Sequence, residues 1–451
     1  MNVRVFSYGI VVASCVLACC NAVGGGIDTT KFNVGTYSFD RTLFADESAV
    51  IDLKDAGIDF VCGRPPGTNR IAVIQALDHF AKHDVGWFIE GGNTFMNGLG
   101  LPYVGKARGK LATMLPAEVY ESAALAFKPH PAIWGFDMYD EPTAVDFPRL
   151  GEVCEEVRRL FPGRFPYINL FPSYAAVAKN SESVAKSQLG TLSYQEYIDR
   201  YCQDIPLDYL SFDFYPYVFG RPEGVRLFHG NLRIVADACL KTGRSLWVVL
   251  QANSTGKTPL AEDCMRYQAY AAMSFGAVVV NLACWTPGWF EHNVVDPRTH
   301  EKTVTYDRVK RVAAELHAIG GEFMRYRRTA THLVGYEAHQ EYLKGSGMTN
   351  EKAVSAGWIR DVRAEDGGPL MVSEMVSRDP CRGAKYALFV FASDDPYADE
   401  SKDRKVLFRL PNLSVRALGV KGSIQVQRRD DGCCEIDLKS NHVAMILLGT
   451  K

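Results

Sequence analysis

Several signatures are missing from this 451-residue chain, and each absence removes a class of function. Its formal net charge is only −2, so it has no basic excess with which to hold a nucleic acid. No CxxC, HExxH or related spacing suggests a metal centre, and no Gly-rich loop suggests a phosphate or dinucleotide cofactor. No cofactor or metal is expected. Low-complexity stretches are few, and 47% hydrophobic against 23% charged residues describes a folded chain with a large core. Twelve cysteines are sparse for this length and lack paired spacing, so most are expected to be small buried hydrophobes.

The one conspicuous apolar run is short. Arg4, then Val5 to Leu17, then small residues around cysteines make an export signal that is too short to span a membrane stably. Val16-Leu17-Ala18-Cys19 resembles a bacterial lipobox, with Leu17 a departure from the usual residue. Cys19 is then the expected site of acylation, and Gly24-Gly25-Gly26 a tether. The expectation is an exported cell-envelope lipoprotein, with plain secretion as the alternative. Residues 1–26 form the leader, 27–324 one domain and 325–451 another.

Over the second of these segments, short β-branched or aromatic runs alternate with helical-period segments, the pattern of successive βα units. The expected strands are Asn33–Phe39, Gly57–Gly63, Val85–Ile89, Ala132–Tyr139, Pro166–Phe171, Asp208–Phe214, Ser245–Leu250 and Ala277–Ala283. Helices are expected at Ala72–Lys82, Phe147–Leu160, Arg221–Leu240, Ala261–Phe275 and Asp307–Ile319. Eight such units make an α/β (β/α)8 barrel. A doubly wound open sheet fits less well, because Tyr37-Ser38-Phe39-Asp40 stands where a phosphate-binding turn belongs. After Met324, short strands at Lys385–Ser393, Lys405–Leu410, Ser423–Arg428 and Val443–Leu448 read as a small all-β sandwich.

A barrel of this type builds its site at the C-terminal ends of its strands. Those ends offer Tyr37 and Asp40, Arg64, Glu90 and Asn93, Asp140 and Glu141, Asn169, Asp213 and Tyr215, Gln251 and Asn253, then Trp285 and Trp289. Carboxylates, amides and aromatics in one set suit a neutral polyhydroxylated ligand, whose hydroxyls need donors and acceptors while its ring face stacks. Arg64 reads more simply as the partner of a barrel acid. His292, a lone histidine, reads as a surface residue.

The segment His130-Pro131-Ala132-Ile133-Trp134-Gly135-Phe136-Asp137-Met138-Tyr139-Asp140-Glu141-Pro142 resembles the fourth strand of clan A glycoside hydrolases. That resemblance implies a carbohydrate substrate and a general acid/base role for Glu141, with Asp140 where many members carry Asn. Trp285 and the run Val294-Val295-Asp296-Pro297 are similar to the end of such barrels. One departure matters: the seventh-strand position of the nucleophilic Glu falls on Gln251, and an amide cannot form a glycosyl ester. Three routes stay open. Glu141 and Asp213 can form an inverting pair separated by roughly 6.5–9.5 Å; Asp140 can orient a substrate acetamide, although the DxxDxDxE spacing is absent; or the barrel binds glycans without cleaving them. Sugar identity, linkage and oligomeric state are not readable.

Overall fold

A computed structural model describes residues 27–67, 69–90, 127, 130–286, 290–356, 359–379, 381, 383–397, 402–410 and 414–449. Eight parallel strands form its first part: β1 (Asn33–Tyr37), β2 (Phe60–Gly63), β3 (Gly86–Glu90), β4 (Ile133–Asp140), β5 (Phe165–Asn169), β6 (Tyr209–Phe214), β7 (Ser245–Gln251) and β8 (Ala277–Ala283). Hydrogen bonding runs in the order β5-β4-β3-β2-β1-β8-β7-β6. A parallel bridge between Leu170 and Phe212 joins the two ends, and the sheet is therefore a (β/α)8 barrel.

Burial explains why these strands form and why they read so clearly. β2, β6 and β8 are buried along their whole length, as expected of parallel strands covered on both faces. Inside the barrel an aromatic layer fills the space, with Trp247 stacked on Tyr209 at 4.3 Å between ring centres and on Tyr167 at 6.0 Å. Backbone approaches closely where β4 meets β5. A Cβ on Gly135 would lie 2.2 Å from the Phe165 carbonyl oxygen, so that position has no space for a side chain.

Helices cover the outside at Arg70–Lys82, Phe147–Leu160, Glu223–Thr242, Glu262–Ser274 and Val304–Phe323, among others. Each of these overlaps the helix expected from periodicity. The helix Val304–Phe323 starts on a Thr303 side chain that accepts the Thr305 N–H, an ordinary N-cap.

The remainder is two sheets face to face. Seven strands, including Tyr326–Val334, Leu370–Ser377, Tyr386–Ala392 and His442–Gly449, form the first; five, including Ile359–Ala364, Asp403–Arg409 and Cys434–Lys439, form the second. Alternation in the first sheet is buried on both sides. Phe389, Phe391 and Met445 join the barrel's core, while Leu388, Val390 and Ile446 join the core between the sheets. The expected strand Ser423–Arg428 is in fact two short pieces, Gly422–Ile424 and Gln427–Arg428, one in each sheet. Seven of the nine described cysteines are buried and all nine are free thiols, as the spacing suggested.

Candidate active site

β4 ends on Asp140, and Glu141 turns the chain away from the sheet with a φ of +56°. Left-handed backbone at a non-glycine residue costs about 1–3 kcal/mol and persists only where surrounding structure fixes it. Here the Glu141 N–H donates to the Asn169 carbonyl at 2.8 Å, which ties the end of β4 to the end of β5. The turn sets Glu141 at the barrel mouth, partly exposed.

Asn169 also joins the carboxylates. Its Nδ2 donates to Asp213 at 2.7 Å and to Asp140 at 3.3 Å, and its Oδ1 accepts from Ser211 Oγ at 3.3 Å. Ser211 is in turn held by the Tyr167 hydroxyl at 2.9 Å. One amide therefore orients acids from two strands, and a polar chain beneath fixes that amide.

Asp213 is 5% exposed. Burial, and then the neighbouring charges of Glu141 and Asp140, push its carboxyl well above the usual carboxylate range, against the opposing Asn169 hydrogen bond.

These residues line a cavity of about 460 Å³ together with Tyr37, Tyr174, Tyr215, Val218, Val249, Thr255 and Phe290, a size within the range of small-molecule sites. No Lys, Arg or His is among its described lining residues. Tyr215 and Phe290 meet edge to face at 5.0 Å on one side, and Tyr174 packs against Phe214 and Phe219 at 5.3 and 5.1 Å on another. Tyr174 is 41% exposed, which leaves ring surface free for a ligand.

Of the residues expected at the mouth, Tyr37, Asp140, Glu141, Asn169, Asp213 and Tyr215 come together in this cavity. Others do not line it. Gln251 is fully buried: its Nε2 donates to the Asn253 carbonyl at 2.8 Å, and its Oε1 accepts the Tyr217 N–H at 3.0 Å. It clamps two loops and does not line the cavity, unlike the ligand contact expected from its strand end. Trp285 is 1% exposed and packs edge-on against Tyr306 at 5.7 Å, so it belongs to the core between barrel and helix. Asn253 is likewise buried, bonded to Asn293 and to the Cys284 N–H.

Asp40 accepts from Thr42 in a local turn, and Arg64 pairs with Glu90 at 2.7 Å. None of the three lines the cavity. His292 bonds the Gly256 carbonyl at 3.0 Å. Asn93, Trp289 and Cys19 lie outside the described residues. Tyr174, Thr255 and Phe290 were missed because they sit on loops beyond the strand ends, and Val218 because it ends a short 3-10 helix, Pro216–Val218; the aromatic in Phe171-Pro172-Ser173-Tyr174 gave a signal.

One strongly perturbed acid lies beneath the cavity. Asp137 is 1% exposed and accepts from the Tyr37 hydroxyl at 2.9 Å. Burial, with Glu90 and Asp140 adding repulsion, pushes its carboxyl well above the ordinary range. A carboxyl raised by folding stabilises the fold at pH below its unfolded value near 3.8, and that contribution is lost as pH rises through the folded value. Asp137→Asn keeps an acceptor for Tyr37 and cannot ionise. Its melting temperature at neutral pH is expected to equal or exceed that of the parent, with a smaller fall between pH 5 and 8; a lower melting temperature and an unchanged pH slope would contradict this.

No protein-family model matches the chain, and no curated protein matches it. Among solved structures it is similar to a catalytic mutant of a GH42 β-galactosidase from G. stearothermophilus, with TM-score 0.50 and 9% identity over 94% of this chain and 100% of that one. It is also similar to an endo-β-1,4-mannanase from Thermotoga petrophila, with TM-score 0.41 and 8% identity over 94% of this chain and 97% of that one. An endo-β-1,4-glucanase from Xanthomonas axonopodis pv. citri gives TM-score 0.40 and 11% identity over 62% of this chain and 98% of that one. The neighbours are glycoside-cleaving enzymes, and at 9% identity the likeness to the galactosidase is one of fold.

Proposed function

We propose that the chain is a glycoside hydrolase that cleaves with inversion, using Glu141 as general acid and Asp213 as general base. The observation that carries this reading is the gathering of three carboxylates, Asp140, Glu141 and Asp213, around one cavity that has tyrosines on its walls and to which β7 contributes Val249 and no acid. Gln251, at the position where the clan A resemblance places a nucleophile, is consumed by loop contacts. Cleavage through a covalent ester on β7 has no group to carry it.

In the proposed reaction the Glu141 carboxyl gives its proton to the glycosidic oxygen as the C1–O bond breaks. The leaving sugar departs as an alcohol. Asp213 takes a proton from a water as that water's oxygen bonds to C1 on the opposite face. The partial exposure of Glu141 suits protonation of a departing group, and the burial of Asp213 suits activation of a water. Asp213 acts as base only once ionised, which its raised carboxyl reaches at higher pH than an ordinary aspartate. Asp140, restrained by Asn169, is placed to accept from a sugar hydroxyl.

The lining suits a neutral sugar, since an anionic one would meet three carboxylates and no described cation. The test is incubation of the mature chain with a panel of neutral oligosaccharides and aryl glycosides, with new reducing ends measured. Release from at least one substrate is expected. Binding without release across the panel would favour a noncatalytic glycan-binding barrel. The reading includes attachment to the membrane through Cys19: Cys19→Ala should move the protein from the membrane to the soluble fraction, and an unchanged distribution would refute the anchor.

A further inference from the structure

Beside the cavity lies a second, larger hollow of about 1050 Å³, between the barrel rim and the β sandwich. Its walls are the loop after β7 from Ser254 onward, the first turns of the helix Val304–Phe323, and Tyr217, Arg221 and Tyr397. Exposed Thr255 lines both spaces. A molecule lying over the barrel mouth passes from one to the other across a single residue.

The two spaces differ in charge. Arg221, Arg266, Arg308 and Arg311 line the second hollow, against Glu262 and Asp263. Most of these cations are already matched. Arg266 is shared by Glu262, Asp263 and Glu315; Arg311 pairs with Glu262; and Arg221 pairs with Asp395 while lying 4.3 Å over the Tyr397 ring.

Arg308 is the exception. Half-buried, it spends its Nη1 on the backbone carbonyls of Pro259 and Leu260, at 3.2 and 2.6 Å, and pairs with no carboxylate among the described residues. Those two bonds fix the guanidinium in place before any ligand arrives. Its Nε and Nη2 form the remaining planar edge, the geometry that a carboxylate matches with two parallel hydrogen bonds.

We propose that the substrate is a glycan chain with an uncharged sugar at the cleaved bond and a uronate-type carboxylate on the portion lying in the second hollow, where Arg308 receives it and Arg221 borders it. This rests on the hydrolase reading. It deepens that reading by naming the substrate as an extended, acid-bearing oligosaccharide or polysaccharide.

The test compares kcat/KM for three oligosaccharides of one linkage: a neutral chain, the same chain with a distal uronate, and its methyl ester. A sulfated analogue forms a further arm. The acid chain is expected to be favoured about tenfold or more over the neutral one, and the preference is expected to vanish with the ester. The preference should also weaken as salt is raised, because the partner is a partly exposed charge. Arg308→Gln should bring the acid-to-neutral ratio close to one, Arg308→Lys should retain part of it, and Arg221→Gln should lower it without touching the Pro259–Leu260 loop.

A ratio near one in the parent, or a ratio unchanged in Arg308→Gln, overturns the assignment while leaving hydrolysis intact. Preference for the sulfated chain over the uronate overturns the carboxylate and keeps the anion. If none of the chains is cleaved, the hydrolase reading fails, and calorimetric binding of uronate against ester then decides the second hollow by itself. Tighter uronate binding supports it, and equal binding overturns it.

Discussion

Glu141→Gln is expected to lower hydrolysis of a glycoside with a poor leaving group by about 10²-fold or more, with sugar affinity retained. The glutamine keeps the shape of the side chain but cannot deliver a proton to the glycosidic oxygen. Tyr37, Tyr174 and Tyr215 still line the cavity, so binding persists. The loss should shrink for aryl glycosides whose phenolate departs without protonation. A uniform loss across leaving groups would instead mean that Glu141 acts on water or on the structure of the site. The left-handed backbone at this residue is one reason to use glutamine, which leaves the turn and its Asn169 contact unaltered.

Asp213→Asn is expected to reduce turnover by about 10²–10⁴-fold for good and poor leaving groups alike. Removing the base affects attack by water whatever departs. Added azide, which attacks C1 without losing a proton, should restore part of the rate. The pH profile supplies a second sign. Asp213 works only when ionised, and its carboxyl is pushed well above the ordinary range, so activity should be absent at low pH and rise as pH passes through that raised value. The acid limb is therefore displaced to higher pH than a solvent-exposed aspartate would give. Loss confined to poor leaving groups in Asp213→Asn, with azide rescue in Glu141→Gln, would exchange the two roles.

Much of the barrel was legible because its strands are apolar runs bounded by turns, and eight such runs separated by helical periods admit few folds. The residues at strand ends that proved adjacent, Asp140, Glu141, Asn169 and Asp213, were legible for the same reason. Gln251 and Trp285 were not. Gln251 occupies a strand end, yet the segment after β6 folds over it through the Tyr217 N–H, a contact spanning 34 residues of sequence that no local pattern announces. Trp285 turns to meet Tyr306 on the last helix, again a nonlocal choice.

The β sandwich was harder to read. Tyr326–Val334 was missed because Arg328 and Thr331 interrupt its apolar pattern, and their polar ends are taken up by barrel carbonyls, those of Ala236 and Ser274. Polar groups that serve an interface between two parts of a chain resemble surface residues in sequence. Thr255 was invisible for a different reason: periodicity orients side chains within strands and helices but not in the loops beyond them.

The central claim, that Glu141 and Asp213 form an inverting pair, is tested most directly by following the anomeric configuration of the first product by NMR as a cleaved glycoside is consumed. Inversion is the result this account predicts. Retention on a substrate without an acetamido group would contradict it, because a covalent nucleophile would then have to exist at this site.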